Sequence, residues 1–197
     1  VTYDSTADTL KHAQRVAELM AQAIHELIDR STCHDRSKTE APELEFYNEF
    51  APKLRVSPYG SEEYKGYLAE MKVGLDHHYA ANRHHPEHFE DGVSGMTLVD
   101  LVEMLADWRA ATERHADGSL VRSLEILKER HGISDQLDAI LWNTARHFGW
   151  LDEQPCGTAH IAPDGTEMVC DVIVDRPGGT HAGAHADGRF EPYTWEA

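Results

Sequence analysis

Histidine is the residue type in this chain whose placement says most about chemistry. There are 14 in 197 residues, and imidazole is both the commonest metal ligand and the side chain that titrates nearest neutrality. Five of them, His77, His78, His84, His85 and His88, fall in the stretch HHYAANRHHPEH. Side chains spread over a helix end and a following loop can line the mouth of a cleft, where they serve as general acids or outer phosphate contacts. A chance cluster of solvated histidines is the alternative. His34 and Asp35 are adjacent and followed by Lys38. A neutral imidazole beside a carboxylate suits a hard or borderline divalent cation, and a nearby lysine can hold an anionic substrate. Asp107 lies in the apolar run LVEMLADW, where a carboxylate is costly unless it is paired or coordinates a cation. His12 precedes Val16 by one helical turn, so it can reach the core side of its helix or sit there as a half-buried polar residue.

The elements that must carry these groups read as helix after helix. Ser5 and Thr6 offer caps for a first helix over roughly 7–30, whose stripe Leu10, Ala13, Val16, Ala17, Met20, Ile24, Leu27 and Ile28 predicts a face turned to the core. Pro42 opens a short helix with Leu44, Phe46, Tyr47 and Phe50, and Pro52 to Gly60 reads as a loop. Ser61 caps one helix carrying Tyr64 to His78, and 82–95 is a loop rich in histidine. Thr97 caps the helix of Asp107, and two more follow at about 119–131 and 134–149, punctuated by Gly132 and Ser134. The expectation is an all-α bundle over 1–150 with a small β/loop appendage over 151–197.

That appendage is too small to bury a core of its own. His181 and His185 have a zinc-ligand spacing, and Cys156 and Cys170 complete a Cys2His2 set, with His160 as the alternative ligand. A structural zinc staple and a plain histidine-containing tail are the two readings of it.

Composition narrows the function classes. Lys+Arg 18 against Asp+Glu 35 leaves a net charge of −17, which repels long nucleic acids and anionic membranes. No apolar run approaches a membrane span, the polar, acidic N-terminal stretch does not resemble a signal peptide, and three cysteines make no disulfide framework. A cytoplasmic setting is expected, that of the host if the chain is phage-encoded. The sequence does not determine an oligomeric state.

The order His12, His34-Asp35, Asp107, with intervals of 22 and 72 residues, resembles the H…HD…D signature of the HD-domain superfamily of metal-dependent phosphohydrolases. HDRSK at 34–38 is similar to the HDxxK of many members. HHPEHFEDG followed by VEMLADW resembles the corresponding stretch of the HD-GYP phosphodiesterases, but Gly92-Val93-Ser94-Gly95 stands where their GYP triplet would be, so cyclic dinucleotide cleavage is not implied. Over about residues 3–149 the chain also resembles an uncharacterised phage and bacterial family, through YDSTADTLKH, YGSEEYKGYL and HHYAANRHHPEHF.

The HD resemblance implies an HD-like helical bundle in which His12, His34, Asp35 and Asp107 hold one divalent metal (Mn, Mg, Co, Zn or Fe), with His78, His84 and His85 as candidates for a second. It implies hydrolysis of a small nucleotide by metal-activated water. Lys38 then neutralises phosphate charge, Arg36, Arg83 and His77 contact substrate, and His78, His84 or His85 serves as general acid. Two other functions stay open: a di-iron oxygenase on the same fold, and a non-catalytic phage factor that binds a nucleotide or a protein.

Overall fold

The computed structural model describes residues 3–58, 60–114 and 118–151, and beyond them the backbone of four short strands. The described chain is helical, as its apolar spacing predicts: α1 (Thr6–Cys33), α2 (Glu43–Val56), α3 (Glu62–Glu70), α4 (Lys72–Ala81), α5 (Leu98–Thr112), α6 (Leu120–His131) and α7 (Asp135–His147). Single 3-10 turns stand at Arg36–Thr39, Pro86–His88 and Gly92–Gly95. In the tail, β1 (Ala159–Ile161) pairs antiparallel with β2 (Glu167–Val169), and β3 (Ala182–Ala184) with β4 (Phe190–Pro192). Cys156, Cys170, His181 and His185, the candidate zinc ligands, lie outside the described residues, as does the side chain of His160.

Packing divides the chain into two units, Val1–Asp107 and Trp108–Ala197, with the division inside α5. The compositional boundary near 151–154 falls within the second unit. There, Ser119 and Ser134 cap α6 and α7 through their hydroxyls, and Gly132 ends α6 at φ 61, the left-handed conformation that glycine adopts without a Cβ penalty. Leu120, Leu124, Ile133, Leu141, Trp142 and Ala145 are buried, and Trp108 stacks on His131.

The first unit departs from the sequence reading in three places. No residue of α1 is buried, and Leu10, Val16, Met20, Ile24 and Ile28 are exposed, so the stripe expected to face the core does not do so. The last turn of α1 is held instead by charge, through Arg30. Second, α2 runs through Pro52 to Val56. Proline removes one helical N–H bond but has a helical φ, and the neighbouring Phe50 is buried. Third, the single helix expected after Ser61 is two, broken at Met71, which is itself buried.

Two local features decide where the site elements sit. Gly74 of α4 lies against Phe46 of α2 so closely that a Cβ there would come within 2.8 Å of the ring and 2.9 Å of Phe46 Cβ. Glycine thus sets the approach of α4 to α2. At the start of α5, Thr97 and Asp100 form a reciprocal cap: Asp100 Oδ2 accepts from Thr97 N and Oγ1, both at 2.7 Å, and Asp100 N donates to Thr97 Oγ1 at 3.2 Å. Asp100 is fully buried. It also accepts from Arg30 Nη1 at 2.5 Å and from Arg83 Nε and Nη2, each at 3.1 Å. Burial raises its pKa, but hydrogen bonds from Arg83, Thr97 and Arg30 outweigh that and hold it below the ordinary carboxylate range.

Gly74→Ala is expected to destabilise by roughly 1–3 kcal/mol, the usual cost of overpacking, seen as a lowered melting temperature that Phe46→Ala in the same chain partly restores. A melting temperature at or above wild type would mean that α4 does not depend on this close approach. Asp100→Ala should cost about 3 kcal/mol at neutral pH by stranding its arginines. Because the folded pKa is depressed, this contribution is present above the unfolded value of about 4 and lost as pH falls through the folded one. The gap in melting temperature between wild type and variant should therefore narrow on acidification below pH ~4; a constant gap would assign the loss to capping alone.

Candidate metal centre

The site begins where α1 stops. His34 turns the chain out of the helix (φ −51, ψ 128), and Asp35 then takes the left-handed conformation (φ 56, ψ 16) that starts the turn Arg36–Thr39. Aspartate tolerates this region better than most residues, and strain of about 1 kcal/mol is held between two adjacent candidate ligands. His78 comes from α4, His84 and His85 from the loop after it, and Glu103 and Asp107 from successive turns of α5, all within the first unit.

These segments bring one ligand atom each of Asp35, His78, His84 and His85 to within 4.8 Å of one another, and likewise His34, His84 and Asp107. Asp35 faces both groups. Its Oδ1 lies 3.4 Å from His78 Nε2 and 3.5 Å from His84 Nε2, while Oδ2 is 3.6 Å from His34 Nε2. His34 Nε2 is 3.4 Å from Asp107 Oδ1, and His78 Nε2 is 2.8 Å from His85 Nε2. His78 and His84 are buried. Asp35 Oδ1 and His84 Nε2 are also buried, yet neither meets hydrogen-bond geometry with any described residue. Such atoms are uncommon in a folded interior because leaving them unpaired costs about 1–3 kcal/mol each, and nitrogen and carboxylate donors converging in this way fit a divalent cation.

Behind the donors stand two carboxylates that aim them. Glu103 Oε1 accepts from Nδ1 of His34 at 3.0 Å and of His84 at 3.2 Å. A carboxylate only accepts, so these Nδ1 atoms carry protons and the Nε2 atoms face the centre. Glu43, fully buried in the first turn of α2, does the same for His78, 2.9 Å from Nδ1, and also accepts from His77 Nδ1 at 2.7 Å and Ser37 Oγ at 2.9 Å. This is the outer-shell arrangement that fixes the tautomer of ligand histidines. Neither glutamate stands out in the sequence. Glu103 had a signal, since it precedes Asp107 by one helical turn; Glu43 had none.

The electrostatics divide the imidazoles. Hydrogen bonds to Asp107 and Glu103 raise His34 to about 10. Burial pushes His84 down, but the carboxylates of Asp35 and Glu103 beside it bring it above its ordinary value. Burial, with His84 and His78 beside it, presses His85 down to about 3, and burial with Lys38 lowers His78. Glu103 falls to about 2: burial opposes this, and bonds from His34 and His84 prevail. The carboxylates therefore favour positive charge in their midst, while His78 and His85 are kept neutral, the state in which an imidazole ligates.

Two polar side chains complete this region. Lys38 Nζ donates to Asp35 Oδ2 at 2.5 Å and lies 5.1 Å from the centre of the Tyr47 ring. Tyr47 meets His78 edge-on, and its phenol is raised above its ordinary value, mainly by burial and then by Asp35 and Glu43.

The structure thus unites His34, Asp35 and Asp107 with His78, His84 and His85, and it separates four other expected residues from them. His12 is exposed on α1, 22 residues before His34 in an unbroken helix, which is about 33 Å at 1.5 Å per residue. It is not a ligand of this centre. Arg83 is spent on Asp100 and on the face of Phe89. Arg36 is exposed and pairs with Glu40, and His77 is taken by Glu43. His78 and His84 are interior donors, not groups at a cleft mouth.

The first unit is thus helical, with carboxylates and imidazoles converging at one place where they could hold a metal ion. The chain belongs to the Family of unknown function (DUF5662), whose sequence profile matches residues 2–147. No curated protein matches the chain, and no solved structure matches it.

Alanine at His78 or His84 should strip bound divalent metal, read by elemental mass spectrometry after dialysis, while His12→Ala keeps the wild-type content. Glu103→Gln should weaken metal binding about 10–100-fold in competition with a chromophoric chelator. Wild-type metal content in His84→Ala would rule out the centre as drawn.

Proposed function

We propose that this protein is a divalent-metal-dependent phosphohydrolase acting on a small nucleotide, with His34, Asp35, His78, His84, His85 and Asp107 as the residues that hold metal. The observation that carries the reading is the pair of buried, unpartnered atoms Asp35 Oδ1 and His84 Nε2 among converging donors. A divalent ion bound there supplies two things hydrolysis needs, a water of lowered pKa and a polarised phosphoryl oxygen. The two faces of Asp35 toward separate donor groups favour a pair of adjacent ions over a single one. Lys38, already on the outer oxygen of Asp35, is the cation placed to meet phosphate charge as it develops. The net charge of −17 favours a small phosphate ester over a long polyanion.

A second reading, oxygen activation at a di-iron centre, is favoured by one feature: four imidazoles in the set, a nitrogen-rich environment that suits iron. Metal identity separates the two. Protein loaded with Mn, Co, Mg or Zn should release phosphate from a panel of nucleoside phosphates, lose that activity on chelation and regain it on reloading. Lys38→Ala should lower turnover by roughly 10²–10⁴ at unchanged metal content. A coloured protein with two irons per chain and no phosphate release in any metal form would replace the hydrolase reading with the oxygenase one.

A further inference from the structure

We propose that Tyr47 is a further substrate contact of this centre, its hydroxyl donating a hydrogen bond to a non-bridging oxygen of the bound phosphate group. The inference rests on the phosphohydrolase reading and adds a contact to it. Tyr47 follows Glu43 by one turn of α2, so it occupies the same helix face as the carboxylate that aims His78. Its ring stands edge-on to His78, with centroids 5.9 Å apart, and beneath the Lys38 ammonium at 5.1 Å. The ring is therefore clamped between a candidate ligand and the cation nearest the centre. Tyr47 is half-buried, neither sealed in the core nor fully in solvent.

The chemistry suits the place. A phenol, with an ordinary pKa near 10, is a neutral donor at pH 7 and adds no charge beside Lys38. It supplies the short O–H···O⁻ bond that an anionic oxygen takes readily. A residue present only to pack would serve as well without its oxygen, which is what separates the two roles.

The test compares wild type, Tyr47→Phe and, as a control on a tyrosine of α3, Tyr67→Phe, all as the full metal-loaded chain, with inorganic phosphate as the probe in titration calorimetry. Tyr47→Phe should bind phosphate about tenfold more weakly, the worth of one hydrogen bond to a charged group, with metal content and melting temperature unchanged and Tyr67→Phe like wild type. Equal phosphate binding in wild type and Tyr47→Phe overturns the inference and leaves the metal centre and its phosphate affinity intact. Loss of metal in Tyr47→Phe also overturns it, by making the hydroxyl a structural group. A wild type that holds metal but does not bind phosphate overturns both this inference and the hydrolase reading. Should Tyr47→Phe fail to fold, fluorotyrosine placed at position 47 of the wild-type chain gives a second readout: its fluorine resonance should shift on phosphate addition, and an unmoved resonance overturns the contact.

Discussion

One oxygen atom, Glu103 Oε1, accepts hydrogen bonds from both His34 and His84, and the first unit is arranged around that shared acceptor. A carboxylate withdrawn from water is tolerable only when its lone pairs are taken up. Here the two imidazoles take one oxygen, and Arg30 lies 3.3 Å from the other. Arg30 belongs to the last turn of α1 and also grips Asp100 at the start of α5. The end of α1 is thereby set against α5 by charge, without a buried apolar residue on α1. His34 and Asp35 can leave the helix at the centre because Arg30 has already anchored the turn before them.

Glu43 plays the matching part from the opposite side. It lies in the first turn of α2, fully buried, and the donors it collects come from α4 and from the turn at Arg36–Thr39. The close approach of Gly74 to Phe46 lets α4 come near enough for His78 to reach it. Asn82 Nδ2 adds bonds to Ser37 Oγ and His78 O, each 2.8 Å. Glu43, buried, and Glu103, half-buried, thus hold His34, His78 and His84 by Nδ1, leaving their Nε2 atoms for the interior. A set of donors held this way needs little reorganisation to accept a cation, since rotamer and tautomer are chosen by bonds that do not involve the ion.

The histidine-rich character of the chain, the pairing of His34 with Asp35 and the oddity of a carboxylate in LVEMLADW were all legible from residue type and local pattern. So was the all-α class, because apolar spacing and caps such as Ser61, Ser119 and Ser134 act within a turn or two of their own position. The breaks were less legible. Pro52 reads as a stop and is carried inside α2, and Met71 reads as one more core residue and marks the boundary between α3 and α4.

His12 shows the limit most sharply. Its place in an H…HD…D order made it a ligand on paper, yet an α-helix is stiff and advances about 1.5 Å per residue, so two residues 22 apart on one unbroken helix cannot meet. That helix is unbroken only because nothing between Thr6 and Cys33 interrupts it, a fact about the folded chain. The imidazoles that do join Asp35 come from α4 and its loop, and the glutamates that aim them come from α2 and α5. The sequence by itself determined which ionisable groups were available and which helices would carry them, since both follow from side-chain chemistry and short-range periodicity. Only the tertiary structure decided which of those groups meet, because meeting depends on helix ends, a close glycine contact and buried charge pairs between segments far apart in the chain.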